Sequence, residues 1–496
     1  MPSSFKSAPS FLLFFLFFAL HFILLFSIGA NQAQAAPQDR RAPIAPAKLT
    51  VKDTSDKTVT LAWKASKDDR GVSRYEIFSG ESKVGTSETA VYKVAGLKPE
   101  TEYSFKVRAV DQAGNQSPSS APVTIKTLPN LSKAVIGYYP SWSAYSGHEI
   151  SELDGSKLTH INYAFANIGS DLKIELGDPH ADVERRFGNE SPADAFYGNF
   201  NQLKKLKQRY PHLRTFISVG GWSWSSKFSD VALTDASRGA FADSAVAFLT
   251  KYGFDGIDID WEYPVSGGMA GNAKRPADKQ NFTLLMQKLR EKLDAQSQKD
   301  GKTYLLSIAG ASTSSYTRNV ELSKLQEYVD FVNVMSYDIR GTWDSMTGLN
   351  APLYRDPDSA FSWDWSVDDS IRLYLSEGVP ASKLVMGVPF YGYQYQNVQG
   401  TGRGGLYQSF TGGGSVTYGK IASLYLNKGY TRYFHSASKV PYLFNGTTFI
   451  SYDDPESIGY KAAYAKEQGL AGVMAWSLTH DTSSGALLKA LYEGLQ

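Results

Sequence analysis

The chain has no cysteine in its 496 residues. That single absence excludes disulfide scaffolds, thiolate zinc sites, iron–sulfur clusters and cysteine nucleophiles together. It also lacks an excess of charge of either sign: 51 Lys and Arg stand against 49 Asp and Glu, a formal net charge of +2. Without a field of one sign, a nucleic-acid partner is not expected. Charged residues make up 20% of the chain, below the roughly 25% of an average domain. Hydrophobic residues nevertheless reach 42%, which marks the chain as globular rather than disordered. The surplus is aromatic, with 9 Trp, 30 Tyr and 27 Phe, or 13%. Aromatic rings fill cores, and they also stack on flat, partly apolar ligands. At about 150 residues per domain, the length suggests roughly three domains.

Phe11 to Ala30 is almost wholly apolar, with Lys6 before it and Ala33-Gln34-Ala35 after it. This reads as a secretory signal peptide over 1–35, cut before Ala36, with a retained membrane anchor as the alternative. Either reading places the rest outside the cytoplasm. Cleavage implies a secreted, extracellular protein without stable membrane association. Residues 36–42 read as a leader. Over 43–128, short alternating runs such as Thr58–Trp63, Tyr75–Phe78 and Tyr103–Val110 predict half-buried strands of an all-β sandwich. Leu97-Lys-Pro-Glu-Thr-Glu-Tyr103 resembles the tyrosine corner of fibronectin type III domains. Residues 129–133 read as a linker.

From Ala134 onward, apolar runs alternate with helix-length segments, which predicts α/β architecture. The runs are Ala134–Tyr139, Leu158–Phe165, Thr215–Val219, Phe254–Glu262, Tyr304–Ala309, Phe331–Tyr337, Leu384–Phe390 and Ala471–Ser477. Eight such runs fit a (β/α)8 TIM barrel over 134–496, with its site at the C-terminal ends of the strands. The Gly- and Tyr-rich stretch 391–452 is too long for a bare loop, so a small α+β insertion is expected between strands seven and eight.

One run carries the chemistry. Phe254-Asp-Gly-Ile-Asp-Ile-Asp-Trp-Glu-Tyr-Pro264 alternates cleanly. Asp258, Asp260 and Glu262 share one face, while Ile257, Ile259 and Trp261 share the other. Acids lined up on the inner face of a barrel repel one another and lose hydration, which raises at least one carboxyl pKa. A proton held near neutral pH is what a general acid needs. The alternative is a set of solvated or cation-bound carboxylates, for which magnesium would suit.

The whole string Asp255-x-x-Asp258-x-Asp260-x-Glu262 resembles the signature of glycoside hydrolase family 18, the chitinase family. Ser218-Val-Gly-Gly-Trp222 and Met335-Ser-Tyr-Asp338 resemble its second and third motifs. Trp476 matches the tryptophan that floors its central subsite, and the insertion resembles one that deepens the cleft in a bacterial subgroup. The resemblance implies a retaining mechanism in which the substrate supplies the nucleophile. Glu262 would be general acid and then base. Asp260 would orient the acetamide and stabilise positive charge, Asp258 would share a proton with Asp260, and Tyr337 would donate to the acetamide carbonyl. Trp476, Asp338, Met335, Trp222, Trp343, Asp344, Tyr391, Tyr138, Ser218 and Phe165 would bind substrate, with Trp142, Trp224, Trp363 and Trp365 as further aromatic candidates. Tyr393 departs from the arginine that related enzymes often carry there. The resemblance implies no metal and no cofactor, and chitin or chitooligosaccharides as partner; a monomer is the default expectation. An endo-β-N-acetylglucosaminidase acting on N-glycans or peptidoglycan, and an inactive chitin-binding lectin, are the competing readings. The sandwich is expected to act as a spacer.

Overall fold

The computed structural model describes residues 39–54, 56–127 and 132–496. The expected signal peptide, residues 36–38 of the leader and most of the linker lie outside the described residues. Among the described residues, no helix is long and apolar enough to cross a membrane.

The first domain packs two antiparallel sheets. One has three strands (Ala47–Thr54, Thr58–Lys64, Val91–Ala95) and the other has four (Val72–Ser79, Ser82–Ser87, Glu102–Asp111, Val123–Lys126). The alternation seen in the sequence turns Val59, Leu61 and Trp63 inward against Tyr75, Ile77, Phe105 and Val107. Trp63 meets Tyr75 edge-to-face at 5.2 Å. At the corner, the Lys98 backbone N–H donates to the Tyr103 phenol oxygen at 2.9 Å, which ties the strand start to the chain upstream.

The second domain is a closed parallel barrel. Its strands are Ala134–Pro140, His160–Ile168, Arg214–Gly220, Gly256–Asp260, Leu305–Ala311, Phe331–Met335, Leu384–Pro389 and Gly472–Trp476. The last pairs with the first, Gly472 opposite Ala134, and so removes both edges. These strands are covered on one face by helices and filled on the other by barrel side chains. Leu384–Pro389, for example, is buried at every residue. The helix Asp235–Tyr252 starts on a Thr234/Ser237 capping box and stops at Gly253, whose φ of 78° suits glycine. The alternation of strand and helix is less regular than the sequence suggests. Only the short turns Ser314–Thr317 and Leu322–Leu325 follow the fifth strand. The second strand also starts and ends two to three residues later than its apolar run implies, at His160–Ile168. His160 belongs to the core, edge-on to Phe216 at 5.3 Å and to Phe331 at 5.2 Å.

Between the seventh and eighth barrel strands lies a five-stranded antiparallel sheet built from Tyr391–Tyr395, Gly413–Thr417, Thr431–His435, Val440–Phe444 and Phe449–Ser451. Its helical part is reduced to the short segments Gly402–Gly405, Tyr418–Lys420 and Ile421–Tyr425. Where this sheet returns to the barrel, Lys461 and Asp453 form a fully buried ion pair at 2.6 Å.

A buried polar chain supports one wall of the cleft described below. Asp182 has no exposed surface. It accepts from the Tyr163 phenol at 2.5 Å and from the Asp178 N–H at 3.1 Å. Asn199 Nδ2 donates to the same phenol oxygen at 2.9 Å and to the Ser141 carbonyl at 3.2 Å, one residue before Trp142. Burial pushes the Asp182 pKa up to about 7, against the opposing hydrogen bonds. Above the unfolded carboxyl pKa and up to about 7, the native chain therefore holds a proton that the unfolded chain has lost. Stability from this group is full below that window and is lost as pH rises through it. Asp182→Asn should give a flatter profile of Tm against pH than wild type over this window, measured by calorimetry. Parallel profiles would contradict the assignment.

Candidate active site

The fourth barrel strand carries the acids, and register supplies their partners. Asp258 lies opposite Ser218 on the third strand and opposite Ser307 on the fifth. Ser218 Oγ and the Tyr138 phenol each donate to Asp258 Oδ2 at 2.7 Å. Ser307 Oγ at 2.6 Å and Asn333 Nδ2 at 3.2 Å donate to Oδ1. Each carboxylate oxygen thus takes two donors, which leaves none for a cation. Burial still raises the Asp258 pKa, with the four hydrogen bonds opposing.

Asp260 is the opposite case. It is buried, and among the described residues its Oδ1 has no hydrogen-bond partner. Burial first, then the charges of Glu262 and Asp258, push its pKa well above the usual carboxyl range. Gly220, at φ 105°, lies opposite it, and a Cβ there would come within 2.5 Å of the Asp260 carbonyl oxygen. The Glu262 pKa is pushed up to about 7, chiefly by burial and further by the Asp338 charge. Its backbone is clamped on both sides. Its N–H donates to Ser225 Oγ at 2.8 Å, and its carbonyl accepts from Asn272 Nδ2 at 2.9 Å.

Asp260 and Glu262 open into a cleft of about 910 Å³ at the C-terminal end of the barrel. Trp476 forms part of its lining, stacked against Phe165 at 5.8 Å and tilted against Tyr138 at 5.5 Å. The Tyr337 hydroxyl, also in the lining, lies 3.9 Å from Met474 Sδ. Asp338 follows with a left-handed backbone, φ 56°, and its N–H donates to Asn350 Oδ1 at 2.9 Å. Its carboxylate Oδ1 accepts from Tyr391 at 2.5 Å and from Tyr393 at 2.8 Å. Met335 completes this side. Trp142, Trp222 and Trp343 line the cleft with 48%, 53% and 61% of their surface exposed. Exposed indoles around an acid pair offer flat stacking surfaces to a ring-shaped ligand.

Two sequence-predicted residues are placed away from a direct contact. Ser218 lies beneath the floor as a donor to Asp258. Asp344 turns away from the cleft, accepting from the Gly341 N–H at 3.1 Å and pairing with Arg340 at 3.3 Å, so it secures the loop that presents Trp343. Asp255, first acid of the signature, accepts from the Thr215 N–H at 2.8 Å and pairs with Lys207 at the strand's start. Trp363 and Trp365 stack on each other at 5.3 Å, with Trp365 Nε1 bound to the Ser312 carbonyl, and neither joins the cleft lining. Trp224 does. Sequence reasoning missed Ser307, Asn333, Ser225 and Asn272. Ser307 was within reach, because matching the fourth and fifth strands in register puts a hydroxyl beside Asp258. No local pattern marks Asn272.

Comparison with known proteins gives a consistent set of relatives. Residues 134–481 match glycosyl hydrolases family 18, and residues 44–126 match the fibronectin type III domain. Chitinase A1 of Niallia circulans is 46% identical over 394 residues, which cover 70% of this chain and 56% of that protein. The chain thus spans little more than half the length of that relative. Among solved structures, chitinase ChiA74 from Bacillus thuringiensis superposes with a TM-score of 0.70 at 38% identity, covering 73% of this chain and 70% of that one. A family 18 N-acetylglucosaminidase from Paenibacillus barengoltzii does so with a TM-score of 0.63 at 40% identity, covering 73% and 99%.

Proposed function

The chain belongs to glycosyl hydrolases family 18, and from that membership we propose that it hydrolyses the β-1,4 bonds of N-acetylglucosamine polymers, chitin foremost, with retention of configuration. Glu262 donates its proton to the glycosidic oxygen as the C1–O bond breaks. The acetamide carbonyl oxygen of the same sugar attacks C1 and forms a cyclic oxazolinium ion. Asp260 orients the acetamide N–H and faces the developing positive charge, and Tyr337 donates to the acetamide oxygen. Water, deprotonated by Glu262, then opens the ring and returns the proton balance to its start. Asp258 accepts from Tyr138, Ser218, Ser307 and Asn333, and its charge raises the proton affinity of Asp260.

The observation that carries this reading is the pairing of Glu262, pKa about 7, with an acid whose Oδ1 is unpartnered, at the floor of an aromatic cleft. A general acid must hold its proton near the working pH, and burial provides that here. Trp476 supports the reacting sugar, and the exposed indoles hold its neighbours in the chain. A lectin of this fold would need none of these proton affinities. Export by the N-terminal apolar run is part of the proposal, since the polymer lies outside cells.

The test is a time course of products from defined N-acetylglucosamine oligomers, with peptidoglycan and an N-glycoprotein alongside. Cleavage of the oligomers alone is expected. Preferred release from the glycoprotein or peptidoglycan would replace chitin as the target, and binding without cleavage would favour the lectin. The sandwich is proposed as a spacer, so deletion of residues 43–128 should leave oligomer hydrolysis within about twofold of the full chain and lower the rate on insoluble chitin. Loss of both activities would make the sandwich part of the barrel's stability.

A further inference from the structure

Glu262 lies beyond the ladder of the barrel. The fourth strand ends at Asp260, opposite Gly220, and Glu262 follows two residues later. Asp260 is therefore held by strand register, whereas Glu262 is held by side chains that reach it from two loops. Ser225 Oγ accepts from its N–H, and Asn272 Nδ2 donates to its carbonyl oxygen. Ser225 precedes the helix Phe228–Leu233, and Asn272 precedes the helix Asp278–Asp300. The Asn272 loop runs close over Glu262, since a Cβ at Gly268 would come within 2.1 Å of the same carbonyl oxygen. Trp261, next to Glu262, packs between Phe228 and Phe282 of those two helices, at 5.4 Å and 5.2 Å.

One carboxylate ties both loops. Asp278 has no exposed surface. Its Oδ2 accepts from the Val265 N–H at 3.3 Å and from the Arg275 N–H at 2.7 Å, which fastens the Asn272 loop at both ends. Its Oδ1 accepts from Ser229 Oγ at 2.6 Å, in the helix that follows Ser225. The Arg275 guanidinium donates to the same Ser229 Oγ at 2.7 Å and to Asp230 at 2.5 Å. The Ala273 N–H donates to the Ser226 carbonyl at 3.1 Å and joins the two loops directly. Val265 keeps a left-handed φ of 68°, a strained conformation for a β-branched residue that persists only where its surroundings fix it. We infer that Asp278 is a positioning residue for the general acid. Through Ser229 it sets the loop that carries Ser225, and through Val265 and Arg275 it sets the loop that carries Asn272. Together these aim Glu262 at the glycosidic oxygen. Asp278 lies outside the cleft lining and carries no proton in the reaction. An acid in the first turn of a helix also favours that helix, and this role alone would leave the chemistry unmoved. The inference rests on the hydrolytic reading above.

The experiment compares the full chain with its Asp278→Ala and Asp278→Asn variants on two substrates, the N-acetylglucosamine hexamer and dinitrophenyl β-chitobioside. A dinitrophenolate leaves with the bonding electron pair and needs no proton, whereas a sugar oxygen needs the proton of Glu262. The ratio kcat/KM covers the steps from binding to cleavage of the C1–O bond, before water enters. Asp278→Ala should lower kcat/KM on the hexamer about 30-fold, since a displacement of about 1 Å can cost about 100-fold. On the dinitrophenyl substrate it should stay within about threefold, because no proton is awaited there. Asp278→Asn keeps one acceptor oxygen and should show the same split on a smaller scale. Glu262→Gln, measured alongside, gives its full extent. A partly unfolded variant loses both activities in equal proportion. Equal loss on the two substrates, or loss on neither, would overturn the inference, and the Asn variant decides by the same ratio where the Ala variant does not fold. Wild type that cleaves neither substrate would overturn the hydrolytic reading instead.

Discussion

Glu262→Gln should lower kcat by about 10³-fold or more while leaving KM for oligomers within a few-fold. Glutamine keeps the shape of the side chain and leaves in place the Ser225 and Asn272 contacts, which are made by the Glu262 backbone. What it removes is the acidic proton. The glycosidic oxygen must then leave as an alkoxide, and the later water has no base. Such a loss is one of rate and not of binding, so the two kinetic constants separate it from misfolding. The variant should also be no less stable than wild type, since it removes a buried group whose ionised form is disfavoured. In wild type, the rate should fall as pH rises through about 7, because the proton that Glu262 must donate is lost there. Turnover within tenfold of wild type would reject Glu262 as the acid.

Asp260→Asn should cost about 10²-fold in kcat, the scale of removing one preorganised electrostatic group from a water-poor site. The amide keeps the volume but loses the charge that faces the oxazolinium ion. Burial and the Asp338 charge, both left in place, hold the Glu262 pKa up, so the alkaline limb of the rate profile should stay near pH 7 in the variant while kcat falls. An unchanged rate would place Asp260 outside the chemistry.

Much of this was legible in the sequence because it is periodic. The alternation of Asp258, Asp260 and Glu262 against Ile257, Ile259 and Trp261 is a property of a strand alone, and it separates acids from core without any partner strand. Trp261 packs under Phe228 at 5.4 Å, as that alternation requires. The barrel was legible for the same reason, since eight apolar runs at βα spacing have few other ways to bury both faces. Less was visible where the answer depends on what lies across a gap. Asp344 and Asp338 follow the same strand within six residues of each other, yet one opens to the cleft and the other ties its loop to Arg340. Trp363 and Trp365 have the composition of a sugar platform but spend it on each other. The clamp on Glu262 comes from Ser225 and Asn272, one on the loop after the third strand and one on the loop after the fourth, and only folding brings them together. The aromatic surplus therefore divides. Some of it is core, some stacks on itself, and Trp142, Trp222, Trp224, Trp343 and Trp476 remain for a ligand.

In the proposed mechanism the substrate's own acetamide attacks C1 from the face opposite the leaving group, so that two inversions restore the configuration. Proton NMR of the first products from β-linked N-acetylglucosamine hexamer, recorded before the anomers equilibrate, tests it most directly. The β anomer is expected first, relaxing to the mixture afterwards. The α anomer appearing first would mean direct displacement by water and would contradict it.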